Sequence, residues 1–117
     1  MTTVGIVLRT KDRPYFLARA LRSIASQTYA DWRVVVVNDG GDPAPVAELV
    51  AALPEADRVT VLDQATSLGR AGAANAGVRA AVEAGAAYLV LHDDDDSWAP
   101  TFLERAVAHL DAHPLAP

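Results

Sequence analysis

Apolar residues fall in short runs separated by polar turns, and the runs alternate between two periods. Val4-Gly5-Ile6-Val7-Leu8 is continuous, as in a strand buried on both faces, and 32–37 reads as a second strand of the same kind. Between them Phe16, Leu17, Ala20, Leu21 and Ile24 recur at helical spacing behind Pro14, so 15–26 is predicted to be an amphipathic helix. Asn38-Asp39-Gly40-Gly41-Asp42-Pro43 is a dense set of turn formers. A short helix over 46–53, a strand over 59–62, an alanine-rich helix over 70–84 ended by Gly85, a strand over 87–91 and a helix over 100–113 complete the pattern.

Strands alternating with helices imply an α/β fold, a Rossmann-like doubly wound parallel sheet with helices on both faces. In the strand order 3-2-1-4 the switch point lies between the first and fourth strands, and ligands bind beyond the carboxyl ends there. Three polar clusters would meet at that crevice: Arg9-Thr10-Lys11-Asp12-Arg13, Asn38-Asp39 and Asp93-Asp94-Asp95-Asp96.

At 117 residues the chain is expected to be a single domain. Its net charge of −5 with clustered acidic groups disfavours a nucleic-acid partner and favours a bound cation. Cysteine is absent, so no disulfide or thiolate zinc site is available. No signal peptide pattern opens the chain, and no apolar run approaches the ~20 residues of a membrane helix.

Two carboxylates ~5 Å apart repel by about 3 kcal/mol at an effective dielectric near 20. Mg²⁺ or Mn²⁺ would offset that cost at Asp93 to Asp96, because hard cations prefer carboxylate oxygens and share their shell with phosphates. With Arg9, Lys11 and Arg13 at the neighbouring strand end, the expected ligand is a metal-bound diphosphate. No Gly-x-Gly-x-x-Gly or P-loop follows the first strand; Gly69-Arg70-Ala71-Gly72 could offer backbone N–H groups to an anion. His109 and His113 stand four apart without the Glu of a His-Glu-x-x-His site, His92 is read as finishing a strand, and Trp32 and Trp98 as packing residues.

The segments Val7-Leu8-Arg9-Thr10-Lys11-Asp12-Arg13-Pro14, Ser23-Ile24-Ala25-Ser26-Gln27-Thr28-Tyr29, Val34-Val35-Val36-Val37-Asn38-Asp39-Gly40-Gly41-Asp42, Leu68-Gly69-Arg70-Ala71-Gly72-Ala73-Ala74-Asn75-Ala76-Gly77 and Asp93-Asp94-Asp95-Asp96-Ser97-Trp98-Ala99-Pro100 follow one another in the order of a known family. Together they resemble the N-terminal, nucleotide-sugar-binding part of family 2 glycosyltransferases, which have the A-type glycosyltransferase fold. The resemblance implies an inverting transfer from a nucleotide-diphosphate sugar, a UDP-sugar foremost, to a sugar, lipid or protein acceptor, with Mn²⁺ or Mg²⁺ as cofactor. It implies that Asp39 bonds the N3–H edge of a uracil-like base and that Thr10 and Arg13 line the nucleotide pocket. Arg70 would approach the diphosphate, Asp93 and Asp95 would be the Asp-x-Asp pair near ribose and on the metal, and Asp94 would share in ligand binding. Departures are Lys11-Asp12 where Tyr-Asn is usual, Gly41 where Ser is common, and Ala74 where Arg is common.

No catalytic base is identified: Glu48, Glu55, Glu83 and Glu104 lie in or beside predicted helices and read as solvated surface. In the family the base and acceptor surface follow the metal segment, so the chain is expected either to be truncated before the acceptor-binding part of a longer enzyme or to bind a donor without completing catalysis. The family also implies polysaccharide synthesis in the cytoplasm, at the inner membrane face for a longer protein. A sugar nucleotidyltransferase would need a glycine-rich loop after the first strand. A phosphoacceptor receiver would need an acidic pair where Thr10-Lys11 stands, although Asp63 could supply its later aspartate.

Overall fold

A computed structural model describes residues 2–113. The four strands β1 (Val4–Thr10), β2 (Trp32–Asp39), β3 (Val59–Gln64) and β4 (Tyr88–Asp93) alternate with helices α1 (Pro14–Ala25), α2 (Pro43–Ala51), α3 (Gly69–Glu83) and α4 (Phe102–Ala112). The sheet is wholly parallel, in the order β3-β2-β1-β4, as the periodicity predicts.

Side chains alternate across the sheet. Val4, Ile6 and Leu8 of β1 and Val34 and Val36 of β2 pack with Leu17, Leu21, Ile24, Val46, Leu103 and Val107, so α1, α2 and α4 share one core. Val7, Val35 and Val37 point the other way, onto Ala73 and Ala81 of α3. The alanine-rich sequence of α3 lets it lie close on the sheet. A Cβ on Gly77 would collide with Val7 and come within 3.0 Å of Val37 Cγ2. Both valines are buried and cannot give way. Gly77→Ala therefore sets a helix-propensity gain of about 1 kcal/mol against an overpacking cost of about 1–3 kcal/mol. The expected outcome is a net loss near 1 kcal/mol, read from the urea midpoint.

The strand ends and two helix starts move from the sequence reading. Each strand runs two residues past its apolar run, because the ladder continues through Arg9↔Asp93, Thr10↔Asn38 and Asp39↔Gln64. Polar residues expected beyond the strands are thus held by sheet hydrogen bonds. Helix α2 starts at Pro43 rather than 46, since Asp42 caps the Ala44 N–H at 3.0 Å and Pro43 needs no donor at the first position. Helix α4 starts at Phe102, because Pro100 belongs to a turn closed by Phe102 N–H on the Ala99 carbonyl. No helix among the described residues is long and apolar enough to cross a membrane.

Candidate active site

The alternation that builds the core also sorts the polar residues at the carboxyl ends of the strands. Arg9, Asp39 and Asp93 continue the face of Val7, Val37 and Leu91, towards α3. Thr10, Asn38 and His92 continue the opposite face.

On the α3 face, Asp39 is fully buried and has four donors. Arg9 Nε and Nη2 donate to its Oδ2 at 3.0 and 2.8 Å, Ser67 Oγ donates to the same oxygen at 3.0 Å, and the Leu68 N–H donates to Oδ1 at 2.6 Å. Burial works against the charge on Asp39, but the bonds from Leu68, Arg9 and Ser67 outweigh it, and the carboxyl titrates below its ordinary value. A base N–H reaching this carboxylate must take the place of one of these donors; Ser67 and Leu68 sit on the exposed β3–α3 connection. Beside Asp39 a cleft of about 150 Å³ is lined by Arg9, Arg70, Asp93 and Asp96 together with Val7 and Ala74. Two guanidinium groups and two carboxylates around one cleft suit a diphosphate together with a cation.

The opposite face carries a second ionic cluster. Thr10 Oγ1 donates to Asp94 Oδ2 at 2.9 Å, Arg13 Nε donates to the same oxygen at 3.2 Å, and Arg13 Nη2 donates to Oδ1. Asp94 and Thr10 are buried, while the Arg13 side chain is 44% exposed. These three residues are turned into one another, so in this conformation Asp94 has no free carboxylate surface to offer a ligand. Asp93, Asp95 and Asp96 instead bring one oxygen each to within 4.8 Å of the others. Among the described residues this is the one group of three or more potential ligands within mutual reach, and its oxygen-only character fits Mg²⁺ or Mn²⁺.

Several residues of the sequence reading take simpler places. His92 is buried against Trp98, with ring centroids 4.3 Å apart, and Trp98 continues onto Phe102 at 4.7 Å. Desolvation lowers the His92 pKa, its Nδ1 meets the Asp93 carbonyl and its Nε2 has no partner. Trp32 packs in the core under the Arg58 guanidinium, and His109 and His113 stack on each other at the end of α4. Glu48, Glu83 and Glu104 are exposed and Glu55 is half-buried in a turn. Asp63 accepts from Asn38 Nδ2 at 3.0 Å. Asp12 takes a left-handed φ of 51°, a conformation that Asn and Asp tolerate, and its Oδ1 accepts from the Asp42 N–H at 2.8 Å. That contact explains Gly41, whose Cβ would lie 2.8 Å from Asp12 N and 2.9 Å from Asp12 Oδ1.

The glycosyl transferase family 2 profile matches residues 5–116. The chain belongs to glycosyl transferase family 2. Its sequence is 38% identical over 106 residues to the succinoglycan biosynthesis protein ExoW of Rhizobium meliloti (strain 1021), covering 89% of this chain and 32% of that protein. In fold it superposes with a TM-score of 0.82 on S. aureus TarS in complex with UDP-GlcNAc, at 22% identity over 97% of this chain and 32% of that one. It also superposes, with a TM-score of 0.80, on the mannosyltransferase PcManGT from Pyrobaculum calidifontis in complex with GDP-Man and Mn²⁺, at 26% identity over 95% of this chain and 32% of that one. The A-type architecture implied by the resemblance is thus the architecture of this family 2 chain. It spans about a third of the length of these relatives.

The Arg9–Asp39 pair and the part played by Ser67 are absent from the sequence reading. The first was accessible: in register, Arg9 stands opposite Val37, and Asp39 lies two residues further along the same face. Ser67 carries no such signal, because only the packing of its loop over β2 brings it to Asp39.

Proposed function

We propose that this chain is the nucleotide-sugar-binding part of a metal-dependent, inverting glycosyltransferase that uses a UDP-sugar. The observation that carries the reading is the cleft at the switch point, lined by Arg9, Arg70, Asp93 and Asp96 directly beside Asp39. The nucleotide sugars in the TarS and PcManGT structures support a nucleotide-diphosphate donor, and the Mn²⁺ of PcManGT supports a divalent cation.

In this reading Asp93, Asp95 and Asp96 hold the cation, which when bound offsets the charge that develops on the leaving diphosphate. Arg70 and the part of the Arg9 guanidinium not engaged by Asp39 bind the phosphate oxygens, and Asp39 receives the base edge once the Ser67–Leu68 segment yields. Arg13 and Thr10 act through Asp94, fixing the metal segment against the β1–α1 loop. The acceptor and the carboxylate base that deprotonates it lie outside this cleft, and the succinoglycan biosynthesis for which ExoW is named supports a part in polysaccharide synthesis.

Calorimetric titration of UDP into the folded chain, with and without Mn²⁺, tests the proposal. Binding is expected to require Mn²⁺ and to weaken by about tenfold or more in Asp95→Asn, a loss of about 1.4 kcal/mol. Binding indifferent both to Mn²⁺ and to Asp95→Asn would refute it.

A further inference from the structure

The first helix and the residues just after it carry a polar stripe that the cleft leaves without a role. Arg19 and Ser23 of α1 and Gln27, two residues past its end, recur every fourth residue, beside the apolar face formed by Leu17, Ala20, Leu21 and Ile24. All three bond to the backbone of the segment between β4 and α4. Arg19 Nη2 donates to the Asp95 carbonyl at 2.9 Å, and the Trp98 N–H donates to Ser23 Oγ at 2.9 Å. Gln27, 8% exposed, uses both ends of its amide: Nε2 donates to the Ala99 carbonyl at 2.9 Å, and Oε1 accepts from the Leu103 N–H at 3.0 Å.

A segment with neither a ladder nor a helix must find partners for its backbone groups elsewhere. Here Arg19 and Ser23 of α1, with Gln27 just past its end, supply several of them between Asp95 and Ala99. Three carboxylates brought within 4.8 Å of one another repel, and a loop free to spread would separate them. We infer that Arg19, Ser23 and Gln27 are positioning residues that hold Asp95 and Asp96 in a cation-ready arrangement before any cation arrives. The inference rests on the proposed metal role of those carboxylates.

Electrostatics and positioning predict opposite signs at Arg19. Removing a positive charge near a cation site by itself strengthens cation binding; removing a tether weakens it. Mn²⁺ alone, titrated into the intact chain and followed by water-proton relaxation, is therefore expected to bind about tenfold more weakly to Arg19→Gln, Ser23→Ala and Gln27→Met than to the unsubstituted chain. In parallel, amide hydrogen exchange is expected to quicken at Trp98 in Ser23→Ala and at Leu103 in Gln27→Met, with Val36 in β2 unchanged. Ser23→Thr, which keeps the hydroxyl acceptor, should restore both readouts. Arg19 is exposed, so Arg19→Gln keeps the test open should Gln27→Met fail to fold. Faster loop exchange with unchanged Mn²⁺ affinity would reduce the stripe to a structural tether and overturn the inference, as would tighter Mn²⁺ binding in Arg19→Gln. Absence of Mn²⁺ binding to the unsubstituted chain would overturn the metal reading itself, and the inference with it.

Discussion

Asp39→Asn is expected to cost about 2–4 kcal/mol of folding stability, although it changes one atom and keeps the shape of the side chain. The carboxylate is buried and accepts from four donors on two parts of the chain: β1 through Arg9, and the β3–α3 connection through Ser67 and Leu68. An amide must turn its NH₂ either towards the Arg9 guanidinium or towards the Leu68 N–H, and each choice sets a donor against a donor. Arg9 is partly exposed, so water recovers some of its charge and keeps the cost below that of a fully buried pair. The pH dependence has a definite sign. Because the folded carboxyl titrates below its ordinary value of 3.8, its contribution is complete above that value and disappears as pH falls through the folded pKa. Urea unfolding of both proteins should show the full gap at neutral pH, narrowing below about pH 4. A gap under about 0.5 kcal/mol at neutral pH would mean that the network is solvated rather than buried.

Asp94→Ala and Asp95→Ala, one residue apart, are expected to act on different properties. Losing Asp94 leaves the buried Thr10 hydroxyl without its acceptor and opens a small cavity, whereas Arg13 can turn to water. The expected loss is about 2 kcal/mol of stability. It also releases the contact that pins the metal segment to the β1–α1 loop, so Mn²⁺ affinity should fall as well. Asp95 is exposed and accepts nothing through its carboxylate among the described hydrogen bonds. Asp95→Ala should leave the urea midpoint within about 0.5 kcal/mol of the unsubstituted chain while removing Mn²⁺ binding. Equal stability losses in the two variants would contradict this division of labour.

Hydrophobic period and turn chemistry were enough to read eight elements, their parallel arrangement and the crevice at the switch point. The apolar runs of β1 and β2 have few alternative uses in a chain of this length, and helices between strands require parallel crossovers. The same parity, extended two residues into the polar stretch, separates Arg9 and Asp39 from Thr10 and Asn38. Boundaries were less legible because strand length depends on the neighbouring ladder, as Arg9↔Asp93 shows. Likewise, α2 begins at its Asp42 cap rather than at its first buried apolar residue, Val46.

The four adjacent aspartates mark the division most clearly. Their sequence determined that charge would gather at the end of β4, and by resemblance which family the chain belongs to. It left the four equivalent as carboxylates. Tertiary structure made them different: Asp94 meets Thr10 and Arg13 in the interior, while Asp93, Asp95 and Asp96 remain at the cleft and the surface. The physical reason is that period fixes the face on which a side chain lies. Whether that face offers a guanidinium, a cleft or water is set by elements contributed from distant parts of the chain.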